Sequence, residues 1–278
     1  MTGLRLAARN RAATEADLGG SPRWLLVLAA LAGLFLLGPI ALLAIAAPWS
    51  DLVNLDPAVA EALRLTIVTA TIATAFAVLL GVPLGWAIER ANIPARRQAR
   101  IALSAPMLLP PVVAGLALIE TFGRQGLLGA PIDSTFGFRF FGNPAAVVLA
   151  QLFVGLPFVA ASVSGALQSQ NNAHELASAT LGASRSQTLW RVTLPLLRPA
   201  IGAGAMLSWA RAVGELGATL TFAGSLPGRT RTMPIAILTA LETDPEQARL
   251  LALVLLLFSV VVLIALRTHW TGIFTERR

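Results

Sequence analysis

Cysteine is absent from the 278-residue chain, which removes disulfides, thiolate chemistry and cysteine–metal sites together. Lysine is absent as well, since all 21 basic residues are arginine. A Walker A loop needs its lysine on the nucleotide phosphates, so ATP hydrolysis by that route is excluded. Histidine occurs only as His174 and His269, far apart in sequence; this argues against a histidine metal site, and no metal or cofactor is expected. Charged residues make up 13% of the chain, against roughly a quarter in soluble globular domains. What fills the space is apolar: 56% of residues are hydrophobic and the mean hydropathy is +0.73. These values describe an integral membrane protein. The net charge of +7 would suit nucleic acid or an oxyanion, but membrane proteins collect arginine in cytoplasmic loops for topological reasons. No nucleic-acid partner is expected.

The apolar runs predict an all-α protein with six spans. The first, Trp24 to Ala47, is too long for the apolar segment of a signal peptide. Span 2 covers about Leu63 to Ile88, with Thr66, Thr69, Thr71 and Thr74 able to bond back to their own helix. Span 3, about Ile101 to Phe122, contains Pro106, Pro110 and Pro111; these free carbonyls that need partners inside a bundle. Span 4 is about Pro144 to Leu167 with Pro157 inside, span 5 about Leu197 to Phe222, and span 6 about Ala248 to Leu266. Residues 123–143 read as a turn-rich connection and 223–247 as a polar outside loop. Arginine is in excess in the N-terminal tail, in 89–100, in 168–198 and in the C-terminal tail, whereas 48–62 is acidic. The positive-inside rule then puts both termini in the cytoplasm.

The polar interlude HELASATLGASRSQTLWRVTLP, residues 174–195, stands between spans 4 and 5. Gly182 permits a backbone turn that a side chain resists. Residues 184–192 read as a second short helix, with Leu189, Trp190 and Val192 as its apolar members, and Pro195 should stop it. The stretch resembles the cytoplasmic EAA loop of the membrane subunits of bacterial ABC importers, whose pattern is E-A-A, three residues, G, nine residues, I, one residue, L-P. Glu175, Ala177, Ala179, Gly182, Ala183, Trp190, Leu194 and Pro195 carry the match. Position 176 is Leu, Glu175 stands seven residues before Gly182 rather than six, and Val192 replaces the usual Ile.

Three more stretches, 106–129, SWARAVGELGATLTFAG at 208–224 and LPGRTRTMPIAI at 226–237, resemble the molybdate permease branch of that family, close to its sulfate and tungstate members. Within the second, Arg211 and Glu215 stand four apart near the middle of span 5, on one face if the helix is continuous. The pair either borders a pathway or is a fixed intramembrane ion pair that orients span 5. Gly202, Gly204, Gly214 and Gly217 are expected to let helices approach closely.

The resemblance implies a type I ABC importer permease fold with three parts. Residues 1–61 hold the cytoplasmic tail, the first helix and an external connection; 62–266 form the transmembrane domain; 267–278 are a cytoplasmic tail. It implies a homodimeric pore in the cell membrane of a bacterium or archaeon, two cytoplasmic ATPase subunits gripping 174–195, and an external oxyanion-binding protein. No catalytic residue is implied, and the oxyanion is molybdate, or alternatively sulfate, thiosulfate or tungstate. A secondary carrier would need ionisable groups along an ion path, and the one central pair, Arg211 with Glu215, neutralises itself.

Overall fold

The computed structural model describes residues 23–91, 94–170 and 173–275, and the side chains of these except Asn54, 263 and 265–275. The terminal arginines Arg5, Arg9, Arg11, Arg277 and Arg278 lie outside the described residues. All regular structure among those residues is helical. The chain forms two compact units, Met1–Pro48 and Trp49–Arg278. Among the described residues the first holds a single helix, α1 (Arg23–Ala46), apolar on all sides and carrying Pro39.

The second unit opens with a 3-10 turn at Trp49–Asn54. Asp56 then starts α2 (Pro57–Arg90) by accepting from the Ala58 N–H at 2.8 Å, with Pro57 in the first turn, where its missing N–H costs nothing. At 1.5 Å per residue the 34 residues of α2 extend about 50 Å, well past a hydrocarbon core of about 30 Å. Next come α3 (Arg96–Leu108), α4 (Pro111–Phe122), α5 (Gly129–Phe136) and α6 (Pro144–Ser169). The interlude contributes α7 (Ala173–Thr180) and α8 (Arg185–Thr188), followed by a π-helical turn at Leu189–Thr193. The chain ends with α9 (Leu194–Val213), α10 (Gly217–Ala223), α11 (Met233–Thr243) and α12 (Pro245–Thr275).

Helix α6 is the centre of the unit, with α2 and α9 packed along it. The contact is close because small residues face it. A Cβ on Gly85 would come within 2.5 Å of the Ala160 carbonyl oxygen, and one on Gly204 within 2.9 Å of the Val159 Cα. Of the glycines expected at helix contacts, Gly204 and Gly217 are therefore at one; Gly202 has open space and Gly214 meets only its own turn. The hydroxyls of Thr66, Thr69 and Thr71 bond back to carbonyls four residues earlier at 2.7–2.8 Å, while the buried Thr74 Oγ1 has no protein partner.

Among the described residues, four helices are long and apolar enough to cross a membrane: α1, α2, α6 and α12 from Pro245 to Val262. The other two expected spans are broken. Span 3 is α3 and α4, which bend by 110° at Leu109–Pro110; consecutive prolines withhold two N–H groups and force the preceding residues out of helix. Span 5 divides into α9 and α10 at Gly214–Leu216. The expected outside loop 223–247 contains the apolar helix α11, whose Met233 N–H is accepted by Thr66 Oγ1 of α2 at 2.8 Å, and the connection 123–143 contains α5.

Candidate functional site

Helix α7 ends in a Schellman motif. The Ala183 N–H reaches the Ser178 carbonyl at 3.1 Å and the Gly182 N–H reaches Ala179 at 3.0 Å, with Gly182 at φ +82°. A Cβ on Gly182 would meet nothing, so it is backbone conformation and not space that asks for glycine there. The next residue but one, Ser184, begins α8 with a capping box: Gln187 N–H to Ser184 Oγ at 3.2 Å, and Ser184 N–H to Gln187 Oε1 at 2.8 Å. Ser178 and Thr188 join the two short helices through their hydroxyls at 3.0 Å. The elbow is thus defined by its own hydrogen bonds.

Pro195 does not stop the second helix. It sits in the first turn of α9, and the helical path is unbroken from Arg185 to Val213. The π turn explains this: the Leu194 N–H bonds to the Leu189 carbonyl, five residues back, widening the coil where the proline ring would strike the carbonyl of Arg191. The half of the elbow holding Trp190 and Leu194 is therefore one rigid piece with α9.

Glu175 ties the elbow to the bundle. Its Oε2 accepts from Arg90 Nε, at the end of α2, and its Oε1 from Thr193 Oγ1, each at 2.9 Å. Both partners of the ion pair are largely covered, with side chains 16% and 24% exposed. Beside them lies a hollow of about 800 Å³ lined by Trp86, Arg90, Glu175, Ala179, Ala183 and Thr188 among others. Ala177 and Ala179 are both exposed, Ala179 at the wall of the hollow. Leu181, at 88%, and Trp190, at 67%, project from the surface. The elbow thus leaves two large apolar side chains exposed, a feature that often marks an interaction surface.

One charged centre near the elbow is not visible from spacing in the sequence. Glu89 is buried; its Oε1 accepts from Arg100 Nε of α3 at 2.8 Å and from Ser164 Oγ and Gln168 Nε2 of α6 at 2.5 and 3.2 Å, and Arg100 Nη2 contacts its Oε2. The one sequence signal is that Glu89 is the lone carboxylate among Arg90, Arg96, Arg97 and Arg100.

Arg211 and Glu215 are in contact, but not along a continuous helix face, because α9 has ended at Val213. Glu215 is fully buried in the break. Its Oε1 accepts the Ala218 N–H at 2.8 Å, capping α10, and its Oε2 faces Arg211. The Ala212 carbonyl, near the break, accepts from Gln151 Nε2 of α6 at 3.0 Å and from the Glu215 N–H at 3.1 Å. The pair therefore closes around a gap in the helix, and Ser208, on the same face as Arg211, is buried against Gly155.

The apolar helices define a multi-pass membrane protein. More narrowly, the chain belongs to the family described as the binding-protein-dependent transport system inner membrane component, which it matches over residues 77–277. It is 41% identical over 260 residues to the molybdenum transport system permease protein ModB of Mycobacterium bovis, covering 92% of this chain and 97% of that one. It is 37% identical over 177 residues to the sulfate transport system permease protein CysW of Synechococcus elongatus, covering 64% and 62%. Its fold is similar to that in a crystal structure of a bacterial ABC transporter involved in the import of the acidic polysaccharide alginate, with a TM-score of 0.66 over 91% of this chain and 96% of that chain, at 16% identity.

Proposed function

We propose that this chain forms the translocation pathway of an ATP-driven importer of an oxyanion, and that the oxyanion is molybdate. Two copies line the pore, two ATPase subunits grip residues 174–195 from the cytoplasm, and a binding protein delivers substrate from outside. The chain crosses the membrane six times, counting α3–α4 and α9–α10 each as one crossing, with both termini in the cytoplasm. Nucleotide-driven closure of the ATPases draws the two elbows together, and α9, continuous with the elbow, moves as a lever. The observation that carries this reading is that continuity from Arg185 to Val213, since a push on Trp190 cannot be absorbed by a flexible hinge before it reaches the bundle. Arg211 and Glu215 belong to the structural side of the account: they seal the break in span 5, and Glu215 already neutralises Arg211.

The relatives' names support molybdate over sulfate by identity and by the share of each chain covered. The test has two parts. Calorimetric titration of the partner binding protein with molybdate, tungstate and sulfate should rank molybdate or tungstate above sulfate; the reverse order assigns the chain to sulfate transport. In proteoliposomes, uptake should require ATP and the ATPase subunits, and Gly182→Val should abolish it while the variant still inserts. Uptake without the ATPase would instead point to an ion-driven carrier.

A further inference from the structure

The last turn of α2 presents a carboxylate and a guanidinium on consecutive residues that reach different sides. Arg90 reaches the elbow through Glu175. Glu89, with its side chain 4% exposed, reaches α3 through Arg100 and α6 through Ser164 and Gln168. Adjacent residues on a helix turn by about 100°, so one rigid turn serves both directions. A buried ion pair is a poor device for stability, since well-packed apolar residues often replace one at no loss; its better-attested use is fixing a register. Helix α3 needs that. None of its residues is buried, and it begins at Ala95, a non-glycine residue at φ +62°. From there α3 runs to the Leu109–Pro110 break, and Pro111, which opens α4, sits so close to Gly217 of α10 that a Cβ there would lie 2.6 Å from it. Helix α3 thus connects the elbow end of the bundle to the place where the two broken spans meet.

We propose that Glu89 is a positioning residue for coupling. With Arg90 it makes a two-sided joint that delivers movement of the elbow to α3 through Arg100 and to α6 through Ser164 and Gln168. This rests on the reading of 174–195 as the element that receives work from an ATPase, and it adds residues outside that element.

The assembled transporter, with its ATPase and binding protein in proteoliposomes, tests it through uptake per ATP hydrolysed, a ratio that a general loss of stability does not change. In Glu89→Gln the ratio should fall about tenfold, within the usual range of coupling between sites, while hydrolysis continues. Arg100→Gln should do the same, and Glu89→Gln with Arg100→Gln should be no worse than either alone, because the two act as a unit. If Glu89→Gln fails to assemble, Arg100→Lys keeps the charge on a side chain 39% exposed but loses the two-pronged contact, and it should lower the ratio on its own. A wild-type ratio in these variants, or effects that multiply in the double variant, overturns the joint. Gly182→Val is run beside them: if it still couples, the reading of the elbow falls, whereas if it is inactive and Glu89→Gln keeps the wild-type ratio, only the joint falls.

Discussion

Glu175 holds two donors from different elements, and removing its carboxylate takes away both. In Glu175→Ala, Arg90 is left largely covered without its anion and Thr193 Oγ1, in a buried residue, loses its acceptor. Charge-assisted bonds of this kind are worth about 1.5–3 kcal/mol when well covered. The cost should appear locally, as faster amide exchange across 173–193 than across α6, together with a lower thermal midpoint in detergent. Glu175→Gln keeps one acceptor and should fall between. Unchanged exchange in Glu175→Ala would show that the elbow is held by its Schellman and capping-box bonds alone. At Gly217 the limit is space: Gly217→Ala places a methyl 2.6 Å from the Pro111 Cβ. Both α4 and α10 must then shift, for about 1–3 kcal/mol of overpacking, read as a lowered midpoint.

Between residues and the whole lie the helices, and Pro195 shows what one of them tolerates. The π turn at Leu189–Thr193 accommodates a ring that an α-helix would reject. Pro195→Ala supplies an N–H that can reach the Arg191 carbonyl, so the turn can tighten to α geometry and rotate everything before it, Trp190 included, by part of a turn. The variant should be as stable as wild type or more so, yet show an altered Trp190 emission in a background lacking the other tryptophans, and less uptake per ATP hydrolysed. Unaltered emission and coupling would mean that the π turn outlasts the proline. The same helices show what could be read in advance. Spans α1, α2, α6 and α12 are long apolar runs and were legible, as was the glycine turn at 182. The proline run foretold a broken span 3 but not a bend of 110°, because hydropathy carries no direction. The break at Gly214–Leu216 was hidden by the spacing of Arg211 and Glu215, which suits a helix as well as it suits a cap. Helix α11 reads as loop in the sequence because polar residues bracket a short apolar run. Glu89 could not be recognised from sequence, since Ser164 and Gln168 lie 75 and 79 residues away and only the packing of α2 on α6 brings them to it.

Across the whole molecule, one contact constrains how often the chain crosses the membrane. Arg90, ending α2, touches Glu175 in the elbow, so both lie on one side. Helix α6 leads into the elbow, and as an apolar helix of 26 residues, about 39 Å at 1.5 Å per residue, it is long enough to cross once. On the proposed topology Pro144, at its start, lies on the far side, and residues 91–143 cross between Arg90 and Pro144 despite the bend. A re-entrant α3–α4 that returned to its own side would leave α6 with no membrane to traverse. The absence of cysteine makes this testable, because an introduced thiol is the only one present. Leu127→Cys and Leu181→Cys occupy positions 82% and 88% exposed, and a membrane-impermeant maleimide should label them from opposite faces, Leu181→Cys from the cytoplasmic one. Labelling of both from a single face would make α3–α4 re-entrant and put the elbow and the 123–143 segment on the same side. Labelling of Leu181→Cys only from outside would be more damaging, since no cytoplasmic ATPase could reach an elbow on that surface.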